Sequence, residues 1–216
     1  MELLFSSQID VAWICGYPFV RFEKELNLMA VPLYQGQPLY QAYLIRPKVA
    51  GAEVRGWADL KGRVLAYSDP LSNSGWLVAQ AQLAKVGVSV RELKRSFFTH
   101  GHRNVAEAVA ARLAQAGSID GYVWETMRSQ GMSAIAKTEV VWISEAFGFP
   151  PLVTRKGNEH PRMELLREAL LSMSDDKLGR ELLASLNLSG FTQGQPALFD
   201  SIRRQAQQVP GSGVGG

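Results

Sequence analysis

The chain has 216 residues, of which 46% are hydrophobic, so it is long enough for one large domain or two smaller lobes. Its net charge is +3 and its basic residues are scattered, which argues against nucleic-acid binding and predicts only a mild attraction for small anions. A single cysteine, Cys15, excludes an internal disulfide and a multi-cysteine zinc site. No apolar run approaches the ~20 residues that span a bilayer, so no direct membrane insertion is predicted.

Predicted strands and helices alternate along most of the chain. Apolar runs predict strands over residues 9–14, 28–34, 40–46, 63–67, 96–99, 119–124 and 140–143. Helical spacing predicts helices over 16–24 and 75–86, and one that follows His102 and is closed by Gly117. From Pro161 onward the pattern is mainly helical, and the glycine-rich residues 210–216 are predicted to be a disordered tail. The alternation predicts an α/β fold with largely parallel sheets.

The segment from Ala66 to Trp76 carries the clearest functional signal. An apolar strand passes through a proline turn into Ser72, Asn73 and Ser74, where a helix begins. The first N–H groups of a helix have no internal partner, and the helix dipole adds partial positive charge there, so this point can hold an anion. One of the three residues could simply be the helix N-cap. Three in succession favour an oxyanion site.

Other chemistries receive less support from the sequence. His100 and His102 form an H-x-H pair without a carboxylate group at ligand spacing, so no metal site is predicted. The sequence contains neither a G-x-S-x-G nucleophile elbow nor a phosphate-binding P-loop. No cofactor and no catalytic residue are therefore predicted.

Several segments of the chain, taken in order, resemble the periplasmic substrate-binding proteins of phosphonate and phosphite ABC transporters. The segments with matching order and spacing are residues 59–64, 68–75, 97–102 and 119–121. The strand that begins at Ile9 also resembles an earlier strand of that family. The resemblance extends from about residue 8 to Arg203, and the combination of segments is what makes it specific.

The resemblance implies a two-lobed type II binding-protein fold that closes on its ligand by a hinge motion. Residues 1–46 and 142–209 would form one lobe, and residues 47–141 the other, which carries the anion-binding helix start. The implied function is to bind a phosphonate-, phosphite- or phosphate-like oxyanion in the cleft between the lobes and to deliver it to an ABC permease, without catalysis. The implied location is the periplasm, although the first residues of this chain lack a signal-peptide pattern, which leaves a cytoplasmic location open.

The resemblance also assigns ligand-binding residues. The family's Ser-Thr-Ser turn, which binds the phosphonate oxygens, matches Ser72, Asn73 and Ser74, with Asn in the place of the Thr. The family's ligand-binding histidine, at the start of the following helix, matches His102. A histidine at a helix N-terminus can donate its ring N–H to a bound anion, so the chemistry of the residue agrees with the resemblance.

The resemblance also matches a family tyrosine and the family carboxylates that hold a ligand amine to positions in this chain. The family tyrosine on the strand that enters the second lobe matches Tyr40, with Tyr43 as the competing choice. The positions of the carboxylates that hold a ligand amine match Met127 and Pro150, which cannot do so. Glu125 could substitute for them, or could be a solvated carboxylate near a helix start. The ligand implied is therefore an oxyanion without an amine.

The resemblance also implies that this chain lacks an N-terminal segment. Family members carry about two further βα units before the strand at Ile9, so the first lobe is expected to be incomplete, with an unpaired apolar sheet edge. Two alternatives to the transport function remain at this point. The same fold serves as the ligand-sensing domain of signalling systems, and it also occurs in enzymes such as cofactor-precursor synthases.

Overall fold

The computed structural model describes residues 1–51, 53–158 and 160–214. These form two compact units, each made from separate stretches of chain. The first comprises residues 1–39 and 147–204 with Gly213 and Val214, and the second comprises residues 40–146 and 205–212. The lobe boundaries predicted from the sequence differ from these, because they lie at 46–47 and 141–142. The prediction also places residues 205–209 in the first lobe. The strand that contains Tyr40 therefore belongs mainly to the second unit.

Nine strands are present in the described part of the chain. They are β1 (Val11–Trp13), β2 (Leu26–Leu33), β3 (Leu39–Pro47), β4 (Val64–Tyr67), β5 (Arg95–Phe98), β6 (Ala116–Asp120), β7 (Thr138–Gly148), β8 (Leu152–Arg155) and β9 (Gly190–Thr192). The α-helices in the same residues are α1 (Glu2–Phe5), α2 (Gly16–Arg21), α3 (Val78–Lys85), α4 (His102–Ala110), α5 (Gly121–Ser129), α6 (Ser133–Ala136), α7 (Pro161–Leu171), α8 (Lys177–Ser185) and α9 (Asp200–Gln208). None of these helices is both long and apolar enough to span a membrane.

The first unit contains a four-stranded sheet in the order β1-β8-β2-β9. Every neighbouring pair in it is antiparallel, which corrects the expectation of largely parallel sheets. Strands β1 and β2 do run in the same direction, as a strand-helix-strand unit through α2 requires. Strand β8 lies between them in the opposite direction, so the parallel pair never becomes adjacent. Met29, Ala30 and Leu170 form a buried cluster where this sheet meets α7.

The second unit contains a five-stranded sheet in the order β5-β4-β6-β3-β7. Strand β4 pairs in parallel with both β5 and β6, whereas β3 is antiparallel to β6. Helices α3 and α4 follow β4 and β5 respectively, so both helices begin near the carboxyl ends of parallel strands, a common place for ligand sites in α/β sheets.

Helix α4 packs closely against β6. The prediction that Gly117 closes this helix is wrong, because α4 ends at Ala110 and Gly117 lies within β6. A Cβ atom on Gly117 would lie 2.5 Å from Val105 and 2.9 Å from Val109, so glycine is needed for the helix to approach the strand. Arg112, with a φ of 62°, adopts the left-handed conformation just after the helix.

The element that follows β6 also differs from the prediction. A strand was expected over 119–124, but the strand ends at Asp120 and α5 begins at Gly121. The Asp120 carboxylate accepts a hydrogen bond from Val123 N at 3.3 Å and so caps the helix. Trp124 and Glu125 are consequently helical residues. Helices α1 and α6 and strands β8 and β9 are not among the predicted elements.

The end of the chain is ordered further than the sequence suggests. Ser212 is buried, and its hydroxyl donates a hydrogen bond to the Ala206 carbonyl at 2.7 Å. This part of the predicted disordered tail therefore packs against α9. Residues 215 and 216, the last of that tail, lie outside the described residues.

Candidate functional site

The residues between β4 and α3 form a tight polar turn. Ser72 is the N-cap of a single π-helical turn, Asn73–Leu77, which continues directly into α3. The Ser72 hydroxyl accepts from Gly75 N at 2.9 Å, and the Ser72 amide donates to the Asp69 carbonyl at 3.0 Å. These bonds confirm that Ser72 caps the helix. They also hold the backbone of the turn in place without using the hydroxyl of Ser74.

Glycine is required at the centre of this turn. A Cβ atom on Gly75 would overlap the Oγ atom of Ser68 and lie 2.7 Å from its Cβ atom. The backbone of the turn therefore approaches the end of β4 more closely than any other residue type permits. The hydroxyls of Ser68 and Ser72 both lie close to Gly75.

Two hydroxyls in the turn are buried and have no partner in the part of the chain that the structure describes. Ser68 and Ser74 are each 1% exposed, and within the described residues neither Oγ atom forms a hydrogen bond. A buried hydroxyl without a partner costs about 1–3 kcal/mol, so such groups are rare unless something satisfies them. The two hydroxyls point to a polar ligand at this turn.

His102 lies beside the turn, as the first residue of α4. Its Nε2 atom is 3.4 Å from Ser72 Oγ, and its Nδ1 atom accepts a hydrogen bond from Asp120 N at 3.1 Å. The loop after β5 and the end of β6 thus bring together three residues that are distant in sequence. The predicted histidine and the predicted serine turn are neighbours in the structure.

Burial shifts the pKa of the His102 ring and the pKa of the Asp120 side chain in opposite directions. It lowers the pKa of His102 to about 4, although the negative charge of Asp69 acts in the opposite direction. It raises the pKa of the Asp120 carboxyl to about 7, against the effect of hydrogen bonds from the Val123 and Tyr122 amides. At neutral pH His102 is therefore an uncharged imidazole.

Asn73 connects the turn to two other elements. Its Nδ2 atom donates to the Tyr40 hydroxyl at 2.9 Å, and its Oδ1 atom accepts from Gln205 Nε2 at 3.5 Å. All three side chains are buried. Tyr40 on β3 therefore reaches the turn, whereas Tyr43 makes a different contact. Part of the Asn73 amide is occupied by these protein contacts.

Glu125 lies in a separate group of side chains in the same unit. It accepts a hydrogen bond from the Tyr43 hydroxyl at 3.3 Å and forms an ion pair with Arg128. The Arg128 guanidinium also lies over the Trp124 ring. These side chains line a cavity of about 540 Å³ bounded by α5, α6 and β7. No hydrogen bond recorded among the described residues joins Glu125 to the serine turn.

Four residues at the turn were not singled out from the sequence. They are Ser68, Ser118, Asp120 and Gln205. Ser118 donates its hydroxyl proton to the Ser74 carbonyl at 2.6 Å and so ties the turn to β6. Ser68 and Asp120 lie within the segments that resemble the family, residues 68–75 and 119–121, but the resemblance assigned neither of them a role. Ser118, Asp120 and Gln205 reach the turn from β6 or α9, which sequence proximity does not reveal.

The donors identified at the turn are neutral. They are hydroxyls, an amide and an imidazole, placed at the N-terminus of a π-helical turn that runs into α3. Among the described residues, no group of three or more His, Cys, Asp or Glu side chains could hold a metal ion. The arrangement can bind the oxygens of a small anion through hydrogen bonds and the helix dipole.

Comparison with known families assigns the chain. Residues 1–199 match the family model of the periplasmic substrate-binding proteins of phosphonate ABC transporters. The chain belongs to this family. Members of the family bind solutes for transporters and are not enzymes, and the family is a periplasmic one.

Solved structures of binding proteins share the fold of this family member. A binding-protein component of a phosphonate ABC transporter from Pseudomonas aeruginosa matches with a TM-score of 0.88 at 22% identity, over 98% of this chain and 72% of that one. PhnD1 from Prochlorococcus marinus, in complex with methylphosphonate, matches with a TM-score of 0.82 at 17% identity, over 96% and 81%. The aliphatic sulphonate binding protein SsuA from Escherichia coli matches with a TM-score of 0.61 at 14% identity, over 98% and 79%. The family member described here therefore has the type II periplasmic binding protein fold, as predicted.

Proposed function

We propose that the chain binds a small tetrahedral oxyanion of the phosphonate, phosphite or phosphate type at the serine turn. The ligand oxygens accept hydrogen bonds from the hydroxyls of Ser72 and Ser74, and from His102. Tyr40 completes the group through its contact with Asn73. The π-helical turn and α3 contribute their N-terminal dipole, which favours negative charge without a lysine or arginine.

The buried hydroxyl of Ser74 carries this proposal. It lies next to the helix N-cap, is 1% exposed and has no hydrogen-bond partner within the described residues. An anion oxygen at hydrogen-bond distance would satisfy it. A purely structural cap would need only Ser72, whose hydroxyl already accepts from Gly75 N.

The proposed ligand carries no amine. The residues at the positions expected to hold an amine are Met127, which is buried, and Pro150. Neither has a carboxylate, and Glu125 is engaged with Tyr43 and Arg128. We therefore expect methylphosphonate, phosphite or phosphate to bind more tightly than 2-aminoethylphosphonate, because the ammonium group of the latter would lose water without gaining a partner.

The proposal includes the transport context of the family. The bound oxyanion is delivered to an ABC permease, and binding takes place in the periplasm. Family membership supports both statements. A functional test is oxyanion uptake by cells that carry the permease with the wild-type binding protein or with a variant that does not bind the anion.

Calorimetry with a panel of anions tests the binding itself. We would titrate the protein with methylphosphonate, phosphite, phosphate, methanesulfonate and 2-aminoethylphosphonate. Ser74→Ala should weaken binding of the preferred anion by about tenfold to a hundredfold, as expected for one charge-assisted hydrogen bond. Ser129→Ala is the matched control, because Ser129 is an exposed serine of the same unit whose hydroxyl donates to the Thr126 carbonyl. Equal affinities for Ser74→Ala and the wild type would rule out this site.

A further inference from the structure

The two ring nitrogens of His102 have different surroundings. Nδ1 accepts a hydrogen bond from the main-chain N–H of Asp120 at 3.1 Å, and Nε2 lies 3.4 Å from Ser72 Oγ. A ring nitrogen that accepts from an N–H group uses its lone pair and carries no proton. In a neutral ring the proton must therefore be on Nε2, the atom that faces the serine turn.

We propose that Asp120 is a positioning residue whose main-chain N–H fixes His102 in the Nε2–H tautomer, so that His102 presents an uncharged hydrogen-bond donor to the oxyanion. This inference rests on the proposed function, because it states how one residue of that site contacts the ligand. It adds a residue and a protonation state that the sequence did not suggest.

Asp120 is suited to this role because two elements fix the direction of its N–H. It is the last residue of β6, where it is paired with Ala42 of β3. Its carboxylate caps α5 through Val123 N. The N–H therefore has little freedom to turn away from Nδ1. Histidines that contact a ligand or a metal through one ring nitrogen are commonly oriented by a hydrogen bond at the other ring nitrogen.

The charges around the ring agree with a neutral state. Asp69, in the loop after β4, is the carboxylate whose negative charge acts on the ring, whereas Asp120 contacts the ring through its main-chain N–H. On α4 itself the adjacent Arg103 is paired with Glu107 on the exposed side. Burial of the ring outweighs the effect of Asp69 on the His102 pKa. A proton on Nδ1 would also place two donors, Nδ1–H and the Asp120 N–H, against each other.

The tautomer has a consequence for the ligand. Nε2–H can donate to an anion oxygen but cannot accept a proton from a P–OH group. The ligand oxygen that faces His102 must therefore accept a hydrogen bond from the ring and cannot donate one to it. Acidification to pH 5.5 should not strengthen binding through His102, in contrast to a site where an imidazolium ion holds the anion.

Nuclear magnetic resonance of the ligand-free protein tests the tautomer directly. The chain has three histidines, and long-range ¹H–¹⁵N spectra of protein with ¹⁵N-labelled histidine report the protonation of each ring. His102→Gln identifies the signals of His102 by their loss. We expect the Nε2–H tautomer from pH 8 to pH 5.5. An Nδ1–H tautomer or an imidazolium in this range would overturn the proposal, whatever the ligand.

A pair of amide substitutions tests the donor to the ligand. A glutamine amide nitrogen can occupy the position of Nε2, whereas an asparagine amide can reach only the position of Nδ1. With methylphosphonate and inorganic phosphate as probes, His102→Gln should keep affinity within about fivefold of wild type, and His102→Asn should lose about tenfold to a hundredfold.

The controls separate this inference from the proposed function. His100→Gln, on the exposed loop next to α4, should leave affinity unchanged. Equal losses for His102→Gln and His102→Asn, in variants with wild-type thermal stability, would contradict donation through Nε2. If the wild type binds neither probe, the proposed function fails, and the spectra of the free protein still decide whether Asp120 fixes the tautomer.

Discussion

Two groups of polar side chains in the second unit differ in how their hydrogen-bonding capacity is used. In the serine turn, the hydroxyls of Ser68 and Ser74 are buried without partners among the described residues. In the other group, Glu125 has both Tyr43 and Arg128 as partners. In the second group the charged side chains have partners, and the group lines a cavity of about 540 Å³. The first group has buried hydroxyls that still lack hydrogen bonds within the described residues, and for that reason it is the better candidate for a ligand site.

This difference shows why cavity size alone is a poor guide in this chain. The cavity beside Glu125 measures about 540 Å³, but its carboxylate and guanidinium already satisfy each other. A ligand there would meet charged groups that already have partners. A ligand at the serine turn gains hydrogen bonds from groups that would otherwise stay unsatisfied. The substitutions below compare the two groups, beginning with the largest expected effect.

Removing both hydroxyls of the turn should have the largest effect on binding. Ser72→Ala with Ser74→Ala should weaken oxyanion binding by about 2–4 kcal/mol, because two charge-assisted hydrogen bonds are lost and such losses are not fully additive. Calorimetry with methylphosphonate, phosphite and phosphate measures the change. Part of the effect comes through Ser72 as a helix cap, so thermal unfolding of the variant should accompany the titration. Wild-type affinity in the double variant would remove the distinction between the two groups.

The buried carboxyl near the turn predicts a pH effect on stability. The pKa of Asp120 is about 7 in the folded protein and about 4 in an unfolded chain, so the folded state binds more protons between these values. Its contribution to stability is present below pH 4 and is lost as the pH rises through 7. Asp120→Asn keeps a capping side chain but cannot ionise. The unfolding free energy of Asp120→Asn minus that of the wild type should therefore increase by about 2–4 kcal/mol from pH 4.5 to pH 8.

Urea unfolding of both proteins across this range measures the difference. The direction in which this difference in unfolding free energy changes with pH is informative. A carboxylate that is stabilised by its surroundings would make the difference change with pH in the opposite direction. If the wild type and Asp120→Asn show parallel pH profiles, Asp120 is ionised at no cost and the turn is better solvated than its burial indicates.

The sequence predicted the parts of this site that depend on local contacts. Ser72 caps a helix through Gly75, three residues away, and the surplus of polar residues beside it was visible in the sequence. His102 and Tyr40 came from the family resemblance, and the structure brings both to the turn. The sequence alone does not distinguish Tyr40 from Tyr43, because both residues lie on the same predicted strand. In the structure Tyr40 contacts Asn73, whereas Tyr43 contacts Glu125.

The remaining differences involve contacts over long sequence distances. Strand β8 inserts between β1 and β2 although it lies more than 100 residues later, and no local pattern reports this. Strand β6 begins with three small residues of weak strand preference, Ala116 to Ser118, and its extent is set by pairing with β3 and β4. Gln205 reaches Asn73 across 132 positions. Tertiary packing decides all three.

Substitution of the two tyrosines of β3, Tyr40 and Tyr43, gives a matched comparison, with an expected effect on oxyanion binding of intermediate size. Tyr40→Phe removes the hydroxyl that accepts from Asn73, and should weaken oxyanion binding by about 1 kcal/mol, because the buried amide loses its partner and is held less firmly. Tyr43→Phe removes the same atom from the other group and should leave binding unchanged. Titration of both variants with the same anion gives the comparison. A larger loss in Tyr43→Phe would assign the site to the Glu125 group instead.

The smallest expected effect is that of Glu125→Gln. The substitution neutralises the carboxylate but keeps its shape, so Tyr43 and Arg128 retain an acceptor. We expect oxyanion affinity to stay within about twofold of wild type, and the unfolding free energy to fall by no more than about 1 kcal/mol, since Arg128 is largely exposed and ion pairs of this kind contribute little. The informative ligand is 2-aminoethylphosphonate. If Glu125 holds a ligand amine, the affinity for this compound should fall in Glu125→Gln while that for methylphosphonate does not. A selective loss of this kind would join the two groups of side chains into one binding site and would overturn the inference that the ligand has no amine.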